Sequence, residues 1–353
     1  MQLKTASKNF WKNKRILITG FSGFKGAWMT LLLNRLGSKV YGFSLNNKLD
    51  KRNIQILKLK HHCADVCYGN ILDEKKIKKF YLKSNPHIVI HMASQSIVKQ
   101  SYIEPKQTYE VNVIGLINLL NCIKNKNVKK KPITFVLTSD KCYENNDKKK
   151  FTEKDNLNGD DPYSGSKAAQ EIVCNSFNKS YNLNIATGRA GNVLGGCDFN
   201  KGRIMVDLID TIFNKKKLLI RNISATRPWQ HVLDLNINYL KFIKKFYLNP
   251  KLAQPWNFGP KKSFSVNKII NYLKKEYQFS SFKDKKNFKE KEYLNISVNK
   301  IKKKLKIENN FSFSRMLKET IEWYHIYYTN KKNTYKYSLK QIDKAIHESK
   351  LHR

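Results

Sequence analysis

The stretch RILITGFSGFKGAWMTLLLNRLG, residues 15–37, limits the fold of this chain more than any other. A short, mostly apolar run ends at Gly20, two more glycines follow at Gly23 and Gly26, and an apolar segment of helical periodicity then runs to Gly37. A strand that turns through glycines straight into a helix is half of a parallel β–α–β unit. In such a turn Gly20 permits the sharp bend, Gly23 lets backbone approach a pyrophosphate, and Gly26 lets the helix pack closely on the strand. The first N–H groups of the helix are free to face an anion. Gly37 suits a helix C-terminal cap.

The alternation continues downstream. KVYGFSL (39–45), HIVIHMAS (87–94) and ITFVLTS (133–139) read as strands, and NIATGRAGNVLGG (184–196) as a strand running into a glycine-rich loop. VNVIGLINLLNCIK (111–124) and PYSGSKAAQEIVCNSFNKSY (162–181) read as helices. Short apolar strands separated by amphipathic helices predict an α/β fold built on a doubly wound parallel sheet of Rossmann type. The pattern loosens after about residue 190, which predicts a smaller C-terminal lobe. On this reading residues 10–187 form the dinucleotide-binding domain, with a return segment at about 229–260, and residues 188–228 and 261–345 form the substrate-binding lobe. The segment after WYHIYYTN (323–330) is polar and basic and is expected to attach loosely.

Lys and Arg number 68 against 27 Asp and Glu, a formal net charge of +41. Such an excess suits an anionic partner. The lysines are spread over the whole chain, however, and runs such as 124–131, 214–217 and 283–292 read as solvated loops. No nucleic-acid partner is expected. Six cysteines without repeated spacing argue against a disulfide framework. His61, His62, Cys63 and Cys67 cluster in sequence, but no second cluster accompanies them, so no metal is expected. No apolar run is long enough for a signal peptide or a spanning helix, which predicts a cytoplasmic protein that does not enter a membrane.

The stretch TSDKCYEN (138–145) places a hydroxyl, an acid and an amine at the end of the fourth strand, in Ser139, Asp140 and Lys141. PYSGSK then puts Tyr163 and Lys167 four residues apart, on one helix face. A lysine ammonium beside a tyrosine favours phenolate, which can take a proton from a sugar hydroxyl. His91, on an apolar strand, reads as a core histidine. The end of the second strand commonly offers an acid to the adenosine ribose. Near Ser44 there is none, and Lys48 is the nearest cation, so NAD and NADP stay open on this criterion.

Taken with RAGNVLGG, RPWQHV and WNFGP, these motifs resemble the extended short-chain dehydrogenase/reductase family, in its nucleotide-sugar 4,6-dehydratase branch, over about residues 12–325. The resemblance implies NAD as cofactor, a CDP-hexose as substrate and a homodimer formed through the helices near 112–125 and 163–182. It gives Ser139, Asp140, Lys141, Tyr163 and Lys167 catalytic roles, with Asp140 as the acid and Lys141 as the base at C5. It assigns Gly20, Ser22, Gly23, Phe24, Lys25, Gly26, Asn70, Ile71, Ala93, Ser94, Tyr163 and Lys167 to the cofactor. Gln95, Asn192, Arg203 and Arg227 fall to the substrate. The chain departs from the family in four places. Lys141 stands where Glu is commonest, Ser139 replaces the commoner Thr, Asn70 replaces an acid, and Val206 replaces a proline.

Overall fold

The structure, a computed structural model, describes residues 9–124, 131–144, 150–220, 222–283 and 293–351. The lysine runs 124–131 and 283–292 fall almost wholly outside the described residues. Seven strands form the central sheet: β1 (Arg15–Thr19), β2 (Lys39–Ser44), β3 (Asp65–Tyr68), β4 (Ile88–His91), β5 (Ile133–Leu137), β6 (Ile185–Ala190) and β7 (Pro255–Phe258). All are parallel, in the order β7-β6-β5-β4-β1-β2-β3. The order reverses between β1 and β4, and ligands of open α/β sheets bind outside the strand ends at that point.

The strands are apolar on both faces because helices cover both. Successive strand side chains point to opposite faces. Ile16 and Ile18 of β1 accordingly join one core with Ile88, Ile90 and Phe135, while Leu17 joins the other with Val89 and Val136. The first core is closed by α1 (Phe24–Arg35) and by a helix at Val232–Leu248; the second by helices at Glu74–Ser84 and Gly115–Lys124. A short helix, α2 (Lys48–Ile56), follows β2, and α3 (Pro162–Tyr181) has the bounds read from the sequence. The expected helix at 111–124 begins earlier, through a π-helical turn at Glu110–Ile114 that joins it to Pro105–Tyr109. The HHCADVC stretch is a turn and the edge strand β3, and its cysteines are not disulfide-bonded.

The C-terminal segment corrects the expectation of loose attachment. Residues Thr334–Ser349 form a helix whose Ile342, Ala345 and Ile346 are buried in the first core. Trp323 Nε1 donates to Ser338 Oγ at 2.8 Å, Gln341 Nε2 donates to the Glu319 carbonyl at 2.9 Å, and Arg35 pairs with Asp343. Three apolar residues at i, i+3 and i+4 suffice to dock a helix whose other faces are polar.

Candidate active site

The C-terminal strand ends open into a cavity of about 1130 Å³. On one side it is lined by the glycine turn: Gly20, Gly23, Phe24, Lys25 and Gly26. Gly20 has φ +74°, and a Cβ there would lie 2.7 Å from the Ala93 nitrogen. A Cβ on Gly26 would lie 2.1 Å from the Gly20 carbonyl oxygen. The turn thus has no room for side chains where strand, helix and the loop after β4 meet. Helix α1 begins at Gly23 with no side-chain cap, so its first N–H groups are left for a ligand. This cradle fits a pyrophosphate.

β5 ends at Leu137, which leaves the next residues to turn into the cavity. Ser139 caps a short 3₁₀ turn at Asp140–Cys142 by accepting from the Lys141 N–H at 3.2 Å. Its hydroxyl also donates to Asp140 Oδ1 at 3.1 Å. Asp140 is 2% exposed, and its buried Oδ2 has no hydrogen-bond partner among the described residues. Burial raises its pKa; the charge of Lys141, then the Ser139 hydrogen bond, oppose that rise. The tyrosine that follows is an anchor rather than a reagent. Tyr143 stacks on Phe151 at 5.1 Å, and its hydroxyl donates to Asn257 Oδ1 at 2.7 Å.

Asp161 caps α3, accepting from the Ser164 N–H at 2.9 Å and the Ser164 hydroxyl at 2.7 Å, with Pro162 at the first helical position. This fixes the helix start that carries Tyr163. Lys167 Nζ lies 5.9 Å from the Tyr163 ring centre and donates to Gln170 Oε1 at 2.9 Å and the Leu137 carbonyl at 3.3 Å. Burial, then repulsion from Lys25, brings the Lys167 pKa down to about 7. Lys25, among Arg203, Asp140 and Asp198, is lowered to about 8, chiefly by burial. Tyr163 differs from expectation: burial pushes its phenol up to about 12, opposed by a hydrogen bond with Ser139.

The lowered lysines set a pH dependence. Between about pH 7 and the unfolded value of 10.5 the unfolded chain holds a proton at Lys167 that the folded chain has released. Stability of the ligand-free protein therefore rises with pH across that window. Denaturant titrations at several pH values are expected to show a shallower rise in Lys167→Met than in the parent; equal slopes would contradict the lowered lysine.

The loop after β4 is held by Asn112 in the π-helical turn. Its Oδ1 accepts from Ser94 Oγ at 2.9 Å and the Gln95 N–H at 2.8 Å, and its Nδ2 donates to Ser166 Oγ at 2.9 Å. The sequence reading did not single out Asn112, although a π-turn often marks a functional segment. Ser94 lines the cavity. Gln95, expected at the substrate, spends its amide on Thr108 Oγ1 and on Ile97 in the ligand-free protein. Asn70 and Ile71, expected against the adenine, follow the end of β3. Asn70 is exposed and accepts from the Leu72 N–H at 3.0 Å, while Ile71 is buried in the second core. Ala93 and Ser22 stand just behind the cavity wall, Ala93 donating its N–H to Thr19 Oγ1 at 3.3 Å. His91 is a buried histidine against Thr19 Oγ1 at 2.8 Å, kept neutral by burial.

Asn192, Arg203 and Arg227 line the opposite wall. Arg203 donates to Asp198 Oδ2 at 2.8 Å and to Ser96 Oγ at 2.9 Å, so it spans the two sides of the cavity mouth. Asp198, five residues before Arg203, escaped the sequence reading. Arg227 is buried beside the cavity, its guanidinium donating to the Thr226 carbonyl at 2.9 Å. Among the described residues no group of three or more His, Cys, Asp or Glu could hold a metal, and no helix is long and apolar enough to cross a membrane.

The strand order, the turn at the first crossover and the meeting of Ser139 with Tyr163 and Lys167 place this chain among the extended short-chain dehydrogenase/reductases. Comparison with known proteins refines this. The family described as GDP-mannose 4,6 dehydratase matches residues 17–320, and the chain belongs to it. Its members are NAD-dependent nucleotide-sugar 4,6-dehydratases. The chain is 35% identical over 280 residues to CDP-glucose 4,6-dehydratase of Salmonella typhimurium, covering 74% of this chain and 77% of that protein. It is 25% identical to the human dTDP-D-glucose 4,6-dehydratase over 92% of this chain and 93% of that one. In fold it matches DesIV, the dTDP-glucose 4,6-dehydratase of Streptomyces venezuelae, with a TM-score of 0.78 at 19% identity, over 88% of this chain and 96% of that one. It also matches UDP-glucuronic acid 4-epimerase of Bacillus cereus, with a TM-score of 0.79 at 20% identity, over 88% and 98% of the two chains.

Proposed function

We propose that this protein converts CDP-D-glucose to CDP-4-keto-6-deoxy-D-glucose, as a CDP-glucose 4,6-dehydratase. The observation that carries the reading is the buried Asp140 carboxyl, held by Ser139 at Oδ1 and next to Lys141, in the cavity that Tyr163 and Lys167 also line. The likeness to the Salmonella enzyme supports the CDP-linked substrate. An epimerase has no need for an acid that protonates a leaving hydroxyl.

NAD would lie on the cradle of Gly20, Gly23 and Gly26 and reach toward Tyr163, where it supplies the acceptor for the hydrogen leaving C4 and returns that hydrogen at C6. Tyr163, as the phenolate that Lys167 and the positive ring of a bound nicotinamide would favour against burial, takes the proton of the 4-hydroxyl, with Ser139 holding the hydroxyl in line. The resulting 4-ketone acidifies C5–H. Lys141, in its neutral form, removes that proton, and Asp140, whose pKa burial raises, gives its own to the 6-hydroxyl so that it departs as water; the Lys141 ammonium so formed returns a proton to C5 as hydrogen reaches C6. Arg203 and Arg227, with Asn192, hold the diphosphate of the sugar nucleotide.

The surface also supports a homodimer. Ile114 and Ile172 are 47% and 61% exposed, on the two helices expected to pair, where a second copy would cover them.

Incubation with CDP-glucose, dTDP-glucose, GDP-mannose and UDP-glucose in turn, without added reductant, tests the reading by mass spectrometry. Loss of one water from CDP-glucose and little from the rest is expected. Loss of water only from another substrate would overturn the nucleotide assignment, and loss from none would overturn the dehydratase.

A further inference from the structure

The end of β2 carries no acid, yet the structure brings one there from the next helix. Asp50, in the first turn of α2, is 8% exposed and lines the cavity. Its Oδ1 accepts from Ser22 Oγ at 2.7 Å, and Ser22 Oγ lies 2.6 Å from Ser44 Oγ, the last side chain of β2. The Asp50 carboxylate also takes a hydrogen bond from the Asn47 backbone N–H, and the side chain still faces the cavity. The helix is fixed against the glycine turn: Asn53 Nδ2 donates to the Ser22 carbonyl at 2.9 Å, and Asn47 caps the helix by accepting from the Asp50 N–H at 2.9 Å. Lys48, the cation nearest in sequence, is exposed and does not line the cavity.

We infer that Asp50 is the residue that selects NAD over NADP in this chain. The adenosine ribose of a dinucleotide on the glycine turn lies outside the end of β2. There the Asp50 carboxylate, whose oxygens keep lone pairs beyond those used by Ser22 and Asn47, can accept from the ribose 2′-hydroxyl, and a 2′-phosphate would meet the same carboxylate as a like charge. Ser22, which the sequence reading gave to the cofactor, acts one step back: its hydroxyl holds Asp50 Oδ1 and so fixes the carboxylate at the cavity wall. The inference rests on the dinucleotide reading of the turn and is independent of which sugar nucleotide is the substrate.

The test is calorimetric binding to the full chain freed of nucleotide, with three probes: NAD, NADP, and NAD lacking the adenosine 2′-hydroxyl. The parent protein is expected to bind NAD tighter than either of the others by about tenfold or more, the scale of one hydrogen bond to a charged group. In Asp50→Ala the three affinities should converge to within about threefold, since the group that distinguishes them is gone. A purely structural role would weaken all three alike and keep their ratios. Equal binding of NAD and NADP by the parent, or an unchanged ratio in the variant, would overturn the proposal while leaving the cofactor site standing. Binding of neither dinucleotide would overturn the site itself. Should the variant fail to fold, the parent's response to loss of the 2′-hydroxyl still decides.

Discussion

Tyr163→Phe is expected to lower kcat on CDP-glucose by about a thousandfold, within the range for loss of a general acid–base group, and to leave the fold intact. The phenol ring is buried and keeps its packing in the variant. Only the hydroxyl is lost, and Ser139 is its neighbour in the ligand-free protein. Lys167 is held by Gln170 and the Leu137 carbonyl, one helical turn away. Steady-state turnover with a thermal melt checks this. A kcat within threefold of the parent, at unchanged melting temperature, would show that Tyr163 is a packing residue.

The largest expected loss of stability falls on Glu171. Its side chain is 1% exposed and pairs with Arg189, itself 3% exposed, at 2.9 Å. Thr187 Oγ1 donates to the same carboxylate at 2.7 Å, and Thr138 donates to its other oxygen. The Arg189 guanidinium also lies 4.8 Å from the Tyr143 ring. One carboxylate thus ties the end of β5, helix α3 and strand β6 together, directly behind Ser139 and Lys167. Glu171→Gln leaves a buried guanidinium without its counter-charge, which typically costs about 3–5 kcal/mol, a large share of a protein's roughly 5–15 kcal/mol. Denaturant titration reads the loss. Replacing both partners by leucine should recover much of it, because no unpaired charge then remains. A cost in Glu171→Gln below about 1 kcal/mol, the level of an exposed pair, would contradict the account.

The parts of this site that were legible in the sequence are those in which one short segment does the whole job. The glycine turn contains its own reasons; Ser139, Asp140 and Lys141 follow a strand end, and Tyr163 and Lys167 stand in the first two turns of a helix, all places that the pattern marks. What escaped depends on segments far apart in sequence. Asp50 reaches the β2 end from a helix whose lysines are exposed, so the missing acid at Ser44 read as an absence. The bonds that hold Gln95 to Thr108 and Ile97, and Asn70 to its own turn, in the ligand-free protein are local contacts of the kind that composition does not announce. The C-terminal helix looked detachable because its apolar stripe is only three residues wide, and composition averages such a stripe away. The phenol of Tyr163 shows a different limit. Its spacing from Lys167 was legible, but the balance between burial and charge is a property of the surrounding shell.

The central claim, that Asp140 and Lys141 make this a 4,6-dehydratase rather than an epimerase, is tested most directly with CDP-glucose carrying deuterium at C4. The account predicts a product lighter by one water, with a 4-ketone and with the deuterium in the C6 methyl group. A product of unchanged mass with the deuterium still at C4 and that centre inverted would contradict it.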